Sequence, residues 1–546
     1  MLRQLTVPGY FSVQPYDIYN YSSMAAQFTG ALHEGFIYPR WLPLNFWGYG
    51  SPTFILYSPL AYYLVAFFDL FCGSMISSMN LAKFIAFFLA GSGIFFLVKE
   101  FYSEKIALLT AIFYLLLPFH IFQFYLVESF ASVVSFAWFA PLLLFIHKYI
   151  KYRQFRYLAC AGACYGGLIL TYLLHAYMFA FVITAFVACL SVTHKKTGYL
   201  FIIPVILIIG ALLSAGHLLP FLQEKHLLNP DALVTMGGPG NYHFSQGFIL
   251  PDMSWKKPSN TFWPVYRESY VLHVFIFSFL IFFSFLQIIK MNTVHNLKLA
   301  NTVNVFFLLT SIGSIFLLFG ISTFLWESIP FFKYIHIPKR WLNITSFTVT
   351  FLSAPIFWWL DTGKLSKVFR YLFICMIFSL WLLLDYRYIS LANIVPDKDL
   401  IPAKGINLVL EHLPAGVKLD MVDRDDIHGK KAEIIRGVGK IRVSLWKAAE
   451  RVIETTAEIP LTVRVRTFNF PGWTAYLDGV RIKISEEKDT KAILVDVPPG
   501  NHSLKLVFED TPVRFYGKII SALSLISLLA FMVFDIFKSR KAALHD

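Results

Sequence analysis

Carboxylates flanked by aromatic residues are the first side chains in this sequence that could do chemistry. Asp17 lies in the segment 15–20 (PYDIYN), ahead of Arg40 and a run of tryptophan and tyrosine residues. A carboxylate in such surroundings can act as a general base or as a metal ligand. It can equally be an ordinary loop aspartate that caps a turn. Asp17 is therefore a candidate for catalysis or for holding a divalent metal, with a plain structural role as the alternative.

A second carboxylate, Glu128, follows the apolar stretch 118–127 (PFHIFQFYLV). A charge among so many apolar side chains needs a partner, because desolvating it alone is costly. The same residue could instead stabilise the start of the next helix through the helix dipole. Both interpretations stay open at the level of sequence.

Two further segments carry polar chemistry beside predicted membrane spans. The loop 220–269 contains Glu224 and His243, and long ordered loops of this kind are often functional lids. Lys339 and Arg340 precede a predicted helix, and a planar guanidinium suits phosphate oxygens. A lipid phosphate or pyrophosphate would fit there, although ordinary lipid headgroups would attract the same two cations.

The composition indicates a protein with many membrane spans. Of the 546 residues, 57% are hydrophobic and 15% are charged, whereas a soluble protein carries about 25% charged residues. The net charge of +14 is not a nucleic-acid signature, because much of the excess lies in connectors between apolar runs, where anionic lipid attracts it. The five cysteines lie in apolar segments and lack the spacing of a zinc site or of a disulfide framework.

Every second connector between the apolar runs is basic, which is the positive-inside pattern of a multipass membrane protein. This pattern assigns the basic connectors to the cytoplasm and the candidate residues to the extracytoplasmic face. Eleven spanning helices of about the length a bilayer requires are predicted. They cover residues 76–98, 105–120, 129–149, 156–174, 176–193, 199–219, 270–290, 302–324, 342–360, 368–387 and 515–537.

These spans divide the chain into four regions. Residues 1–75 form a first extracytoplasmic loop with an interfacial helix at 54–71, and residues 76–387 form the transmembrane domain. Residues 388–514 form a soluble domain, and residues 515–546 form the last helix and a basic cytoplasmic tail. Since nothing upstream carries the first loop across the membrane, the topology predicts that a first spanning helix is missing from the start. The alternative is that 54–71 itself spans.

The later part of the soluble region alternates apolar and polar residues. The runs 461–468, 492–497 and 502–508 are separated by Pro-Gly, Asp-Gly and Pro-Pro-Gly turns, which favours a small antiparallel β-sandwich. Within it, Trp473 and Tyr476 could stack on sugar rings or could belong to the sandwich core. The predicted fold class is therefore mainly α and polytopic, with an extracytoplasmic β-sandwich before the last helix.

In this order, the segments resemble the GT-C-type membrane glycosyltransferases. They resemble more closely the family labelled 6-pyruvoyl-tetrahydropterin synthase-related domain, membrane protein, and its YfhO-like relatives. The matching residues are Asp17, Gly35, Pro39-Arg40-Trp41, Gly48-Tyr49-Gly50, Tyr57 and Pro59, then Leu218-Leu219-Pro220 with Glu224, then Pro330, Ile335-His336-Ile337-Pro338 and Arg340, and finally Phe470-Pro471-Gly472-Trp473, Asp478-Gly479, Pro499-Gly500, His502 and Phe508.

The resemblance implies that Asp17 is the catalytic base, since the first outer loop of GT-C enzymes follows a spanning helix and supplies a catalytic aspartate. Glu128 falls at a second acidic position, where relatives usually read Tyr-x-Arg-Gly-x-x-x-Glu. Here Val127 and Ser132 replace the arginine and the final glutamate. The resemblance thus leaves open both an active enzyme and a catalytically altered member.

The sequence predicts a multipass plasma-membrane glycosyltransferase that moves a sugar from a polyprenyl-phosphate carrier to a glycan, lipid or protein acceptor. Asp17 would deprotonate the acceptor hydroxyl or hold Mg²⁺ or Mn²⁺. Arg340 and Lys339, with Arg40, would bind the donor phosphate and stabilise the leaving group. Contacts with the acceptor or glycan are predicted at Glu224, His243, Trp473 and Tyr476.

The alternatives are a non-catalytic assembly factor for envelope glycans and a transporter of lipid or polysaccharide. The replacements at positions 127 and 132 favour the first of these. Against a transporter, the polar residues concentrate in outer loops, and the sequence shows no pair of Gly/Pro-broken helices at the membrane midplane.

Overall fold

The computed structural model describes most of the chain. The described residues are 10–12, 15–127, 129–229, 248, 263–291, 298–363, 366–391, 393–395, 409–423 and 430–543. The predicted site residues Glu128 and His243 lie outside them, and Asp17 is described by its backbone.

Helices make up most of the described structure. The α-helices are α1 (Pro15–His33), α2 (Thr53–Leu56), α3 (Leu60–Cys72), α4 (Met75–Lys99), α5 (Glu104–Leu115), α6 (Pro118–Phe122), α7 (Phe130–Ser135), α8 (Phe139–Tyr152), α9 (Phe155–Thr171), α10 (Leu173–His194), α11 (Ile202–Leu213), α12 (Ala215–Glu224), α13 (Trp263–Met291), α14 (Lys298–Phe316), α15 (Thr323–Ser328), α16 (Trp341–Thr362), α17 (Lys367–Leu391) and α18 (Pro512–Ala543).

Within the described residues, eight helical segments are long and apolar enough to cross a membrane. They are Met75–Lys99, Glu104–Val127, Phe130–Tyr152, Leu173–His194, Glu268–Met291, Lys298–Phe316, Lys367–Leu391 and Pro512–Lys538. The predicted class of a mainly helical multipass protein is thereby confirmed. Two of the eleven predicted spans are helices that fall outside this set: α9 has 17 residues, and α16 carries many polar side chains and is almost entirely buried.

The predicted span 199–219 is broken. Thr197–Leu213 and Ala215–Leu227 meet at an angle of 87°, and the hydroxyl of Ser214 at the break donates to the carbonyl of Gly210. This bend could not be predicted from the sequence, because no proline stands at the break. It is a single broken span among the described residues. The expectation that the chain lacks a pair of Gly/Pro-broken helices at the membrane midplane therefore stays as it was.

The apolar stretch 54–71 forms two short helices, α2 and α3. Helix α3 has 13 residues, which corresponds to about 20 Å, less than the roughly 30 Å core of a bilayer. It ends at Gly73, whose φ of 62° suits a left-handed helix cap. Ser74 then caps α4 by accepting from the backbone N–H of Ser77.

Residues 432–508 form the predicted antiparallel sandwich, and two short strands outside it pair with each other. The strands are β1 (Tyr10–Ser12), β2 (Asn393–Val395), β3 (Ala432–Arg436), β4 (Gly439–Trp446), β5 (Glu450–Ala457), β6 (Leu461–Phe468), β7 (Trp473–Leu477), β8 (Val480–Ile482), β9 (Ser485–Glu486), β10 (Ala492–Val497) and β11 (Gly500–Phe508). One sheet has the order β3-β6-β10-β9 and the other β4-β5-β11-β7-β8. Inward-facing residues from both sheets, such as Ile453, Val463 and Leu504, are fully buried between them.

The sandwich shares its core with residues 34–59, which we call the joint loop. Trp41 packs edge-on against Trp473 with ring centroids 5.3 Å apart, and Tyr49 stacks on Phe468 at 5.0 Å. Gly50 has a φ of 76°, and a Cβ there would lie 2.3 Å from the Trp41 indole, so only glycine fits. The soluble domain is therefore docked on the segment that follows α1.

Candidate active site

The segments that carry the two predicted acidic residues meet at one end of the helical bundle. Asp17 is the third residue of α1. Upstream of it, β1 pairs with β2 and contacts the π-helical turn Gln123–Val127, which directly precedes Glu128. Single π-helical turns often occur at functional sites. The strand that precedes Asp17 in sequence and the turn that precedes Glu128 are therefore in contact.

A cluster of tyrosines lies one helical turn after Asp17. The ring of Tyr21 is 6.4 Å from that of Tyr57, which is 5.9 Å from Tyr62. The Tyr21 and Tyr57 hydroxyls are hydrogen-bonded, and burial raises the pKa of Tyr57 well above its usual value. Tyr57 is therefore a protonated hydrogen-bonding group at neutral pH.

The cluster continues through Tyr172 to a buried histidine. Tyr57 interacts electrostatically with Tyr172, whose ring is 4.7 Å from that of His175. The amide of Asn343 donates to His175 Nε2 over 3.1 Å, so His175 Nδ1 donates to Ser135 Oγ at 2.6 Å. His175 is completely buried and fully hydrogen-bonded, as expected for a structural role.

The same histidine contacts the position where relatives carry a glutamate. Ser132 Oγ lies 3.5 Å from His175 Nε2. A hydroxyl at this place can exchange hydrogen bonds with the ring but supplies no charge. The structure thus puts the departure from the family pattern inside the polar cluster.

Arg340 directly precedes the N-terminal end of α16, one turn before Asn343. It is half-buried, donates from Nη1 to the carbonyl of Ile335 over 2.6 Å, and interacts electrostatically with His175. Lys339 places its ammonium 4.6 Å from the ring centre of Tyr270. Arg340 therefore joins a continuous cluster that runs back to α1, and Lys339 lies beside it.

An apolar groove reaches the residue next to Arg340. It lies between α10 and α14, has a volume of about 420 Å³, and Trp341 is one of its lining residues. Its outer lining includes Leu309, which is 63% exposed on the outside of the bundle. This volume falls within the range of about 300 to 1,000 Å³ that is usual for small-molecule sites.

Arg40 lies elsewhere, at what we call the foot of the sandwich, formed by residues 471, 509–511 and 514 against α12. Arg40 Nη2 donates to the carbonyl of Gly216 over 2.8 Å, and its Nε is 4.0 Å from Asp510. Its guanidinium also covers the ring of Tyr38 at 3.8 Å. These contacts hold the joint loop on α12, and none of them involves Arg340 or Lys339.

Glu224 lies at the same foot and is neutralised there. Arg514 donates from Nε and Nη2 to Glu224 Oε2 at 3.0 and 2.9 Å, and Thr511 donates to Oε1 at 2.7 Å. Glu224 is 4% exposed and Arg514 is 0% exposed. The buried ion pair fastens α12 to the start of α18.

The two predicted stacking residues differ in their surroundings. Trp473 is buried between Trp41 and Arg451, whose guanidinium lies 4.3 Å from its ring centre. Tyr476 is half-exposed and donates to Glu509 over 2.7 Å. The structure therefore separates the predicted residues into two groups, one near α1 and Arg340 and one at the foot of the sandwich.

Sequence reasoning missed several residues of the first group. Tyr57 stands in a quoted motif without having been assigned a role, and Asn343 is spaced one turn from Arg340, which could have revealed it. Tyr21 could not be singled out from the sequence, because its importance depends on a contact with the distant Tyr57. No group of three or more His, Cys, Asp or Glu side chains suited to a metal ion occurs among the described residues, so the metal expected at Asp17 stays a prediction.

Three comparisons relate the chain to known proteins. The model of a family described as 6-pyruvoyl-tetrahydropterin synthase related domain, membrane protein, matches residues 54–389. A search of curated proteins found no match. Five solved chains match by structure. Among them is the Archaeoglobus fulgidus oligosaccharyltransferase, crystallised with a tethered acceptor peptide, at 14% identity and a TM-score of 0.38. The match covers 73% of the present chain, which spans about half (52%) of the length of that protein.

Proposed function

The chain belongs to the family of 6-pyruvoyl-tetrahydropterin synthase-related membrane proteins, and we propose that it is a membrane glycosyltransferase. Its donor would be a sugar on a polyprenyl-phosphate carrier, and its acceptor a hydroxyl group of an envelope glycan, lipid or protein. The reaction would occur on the extracytoplasmic face of the plasma membrane. One observation carries this proposal: an apolar groove with side chains exposed on the outside of the bundle is lined by Trp341, the residue that follows the half-buried Arg340.

The groove supports a lipid carrier because its walls are apolar and a cationic residue lies next to it in sequence. Its walls are apolar along α10 and α14, which suits an isoprenoid chain. Trp341 is one of its lining residues. The residue before it in sequence is Arg340, whose planar guanidinium matches phosphate oxygens. A chain lying in the groove would therefore bring its phosphate to the polar cluster that leads to α1.

The proposed step needs few groups. The acceptor oxygen attacks the anomeric carbon of the donor sugar, the bond from that carbon to the phosphate oxygen breaks, and the acceptor proton passes to Asp17. Arg340 and Lys339 neutralise the polyprenyl phosphate that leaves. In the alternative role, Asp17 would not accept the proton but would hold a divalent metal, Mg²⁺ or Mn²⁺, since carboxylate oxygens are the ligands these ions prefer.

The groove can be tested by filling it. Gly313 lines the groove, and a Cβ there would meet no atom within 4 Å, so Gly313→Phe should fold while occupying the space. We expect it to weaken binding of decaprenyl phosphate to the full-length protein in nanodiscs by about tenfold, measured by native mass spectrometry. Arg340→Ala should weaken it by about tenfold or more, because a charge-assisted hydrogen bond is lost.

The matched control is Gly198→Phe, at a glycine that is equally open but lies outside the groove. It should bind the probe like the unchanged protein. Equal binding by all three variants would reject the carrier site.

The transfer step is tested in cells. In a deletion strain, complementation with Asp17→Asn should leave the glycan without one sugar and let its lipid-linked donor accumulate, as mass spectrometry would show. Loss of a general base lowers rates by about 10²–10⁴-fold. Full restoration of the glycan by Asp17→Asn, at equal expression, would reject the catalytic assignment.

A non-catalytic assembly factor is the second candidate, and Ser132 is the observation that favours it. Its hydroxyl faces His175 at a position where relatives carry a glutamate. An assembly factor would need the fold and the lipid groove but not Asp17. Binding of decaprenyl phosphate combined with full function of Asp17→Asn would therefore favour this candidate.

A further inference from the structure

Helix α1, which begins just before Asp17, is held at its far end by the sandwich. Glu34 follows the last residue of α1, and its Oε2 accepts a hydrogen bond of 2.7 Å from the backbone N–H of Ala448. Ala448 lies in what we call the hairpin tip, residues 446–451, where β4 turns into β5. Arg451 of this tip also interacts electrostatically with Glu34.

The first half of α1 is held by a second segment of the soluble region. His412 ends the short 3₁₀ turn Leu410–His412 ahead of the sandwich and is 2% exposed. Its ring meets that of Tyr57 nearly at a right angle (85°), with centroids 6.1 Å apart. Tyr57 in turn contacts Tyr21, one turn after Asp17.

The segment that carries His412 is itself fixed to the membrane domain. Pro414 forms a β-bridge with Leu228, and the N–H of Ala415 donates to the carbonyl of Leu227 over 2.9 Å. His412 is thus anchored on one side to the end of the broken span and on the other to Tyr57. The soluble region contacts α1 near both of its ends, directly at Glu34 and through Tyr57 near Tyr21.

We propose that the soluble domain fixes the position of α1, and that His412 and Glu34 are positioning residues of the transfer site. This inference rests on the proposed function, because it assigns a purpose to the placement of Asp17. Misplacing a reacting group by 1 Å can cost about 10²-fold in rate. A helix held near both ends by a rigid sandwich keeps a residue in its first turn within that tolerance.

Burial supports the part played by His412. The pKa of its imidazole is lowered to about 3 by desolvation, so the ring is neutral and packs as an aromatic side chain. The contact with Tyr57 therefore depends on ring shape. His412→Phe should preserve it, and His412→Ala should remove it.

Hydrogen exchange of the full-length protein tests the placement without any substrate. We expect His412→Ala to speed amide exchange by about tenfold in residues 19–24, and Glu34→Ala to do so in residues 28–33. His412→Phe should exchange like the unchanged protein. The control is His502→Ala, at a histidine on β11 that bonds Asp478. Unchanged exchange of α1 in both alanine variants would overturn the proposal.

Transfer is then measured on the same variants. His412→Ala and Glu34→Ala should lower kcat by about tenfold or more with little change in donor KM, and His412→Phe should restore it. Faster exchange with full transfer in these variants, while Asp17→Asn is inactive, would overturn the positioning role alone. If Asp17→Asn is also fully active, the proposed function fails, whereas exchange still reports whether the sandwich holds α1.

Discussion

Two arginines, both 0% exposed, sit in two regions of the sandwich and have opposite surroundings. At the foot, Arg514 bonds Glu224 and the carbonyls of Pro471 and Glu509. At the hairpin tip, none of the three guanidinium nitrogens of Arg451 has a hydrogen-bond partner, and the group lies between the rings of Trp446 and Trp473. Arg514 is hydrogen-bonded to its counter-ion, whereas Arg451 lies between aromatic faces and has only a longer-range attraction to Glu34.

The difference separates an anchor from a contact. A buried pair that is fully hydrogen-bonded fixes geometry, and removing one partner costs about 3–5 kcal/mol. A guanidinium between two tryptophans gains about 2 kcal/mol from cation–π attraction but keeps its desolvation penalty. That penalty lowers the pKa of Arg451 to about 9. The foot therefore ties the sandwich to the membrane helices, while the tip rests against the end of α1.

Breaking the foot should have the largest effect. Glu224→Ala leaves the guanidinium of Arg514 buried without its counter-ion, so we expect the free energy of unfolding to fall by about 3–5 kcal/mol. Denaturant unfolding of the full-length protein in detergent measures this. The control is Arg436→Ala, in an exposed pair with Asp496 (78% and 70% exposed), which should cost less than about 1 kcal/mol. Equal losses in both variants would contradict the assignment of an anchor.

Acidification should weaken the contact at His412 next. Its folded-state pKa lies below the usual histidine value of 6.5, so the unfolded chain binds the extra proton and stability falls as the pH drops below 6.5. Between pH 7 and pH 5 the loss should be about 2 kcal/mol. Unfolding curves at both pH values, compared with His412→Phe, isolate this part. An identical pH response in the phenylalanine variant would show that another group is responsible.

Removing the unpaired charge should have a smaller effect of the opposite sign. In Arg451→Met the desolvation penalty disappears while the packing between the tryptophans remains, so the unfolding free energy should stay constant or rise by about 1 kcal/mol. Arg514→Met, at the foot, should fall steeply under the same conditions. A loss at position 451 as large as that at 514 would erase the distinction between the two regions.

The smallest effect is expected at the solvent-exposed pair of His502 and Asp478, whose Nδ1 and Oδ2 atoms are 2.6 Å apart. Their hydrogen bond raises the pKa of His502 above 6.5 and lowers that of Asp478 below 3.8. The stabilisation is thus present between about pH 4 and pH 6.5 and is lost on either side, as acid protonates Asp478 or base deprotonates His502. NMR titration of both groups in the unchanged protein checks the two directions. The same Asp478 pKa in His502→Gln and in the unchanged protein would refute the stabilising pair.

Patterns of hydrophobicity predicted the spans and the sandwich because both follow from local periodicity. The foot could not be predicted, since Glu224 and Arg514 lie 290 positions apart in sequence. Glu224 looked like the start of a functional loop, and Trp473 like a stacking surface. Whether such a residue contacts a ligand or another part of the protein depends on long-range packing. Trp473, for example, packs against Trp41. Arg340 was singled out because a guanidinium suits phosphate oxygens, which is a property of the residue type and needs no knowledge of distant contacts.

The sideways opening of the groove has a kinetic consequence. Its mouth lies among side chains such as Leu309 and Phe181, which are exposed on the outside of the bundle. A lipid carrier entering there diffuses in two dimensions and never passes through water. Its effective concentration is then its mole fraction in the bilayer. Diluting the membrane with other lipids should slow capture, while diluting the whole suspension should not.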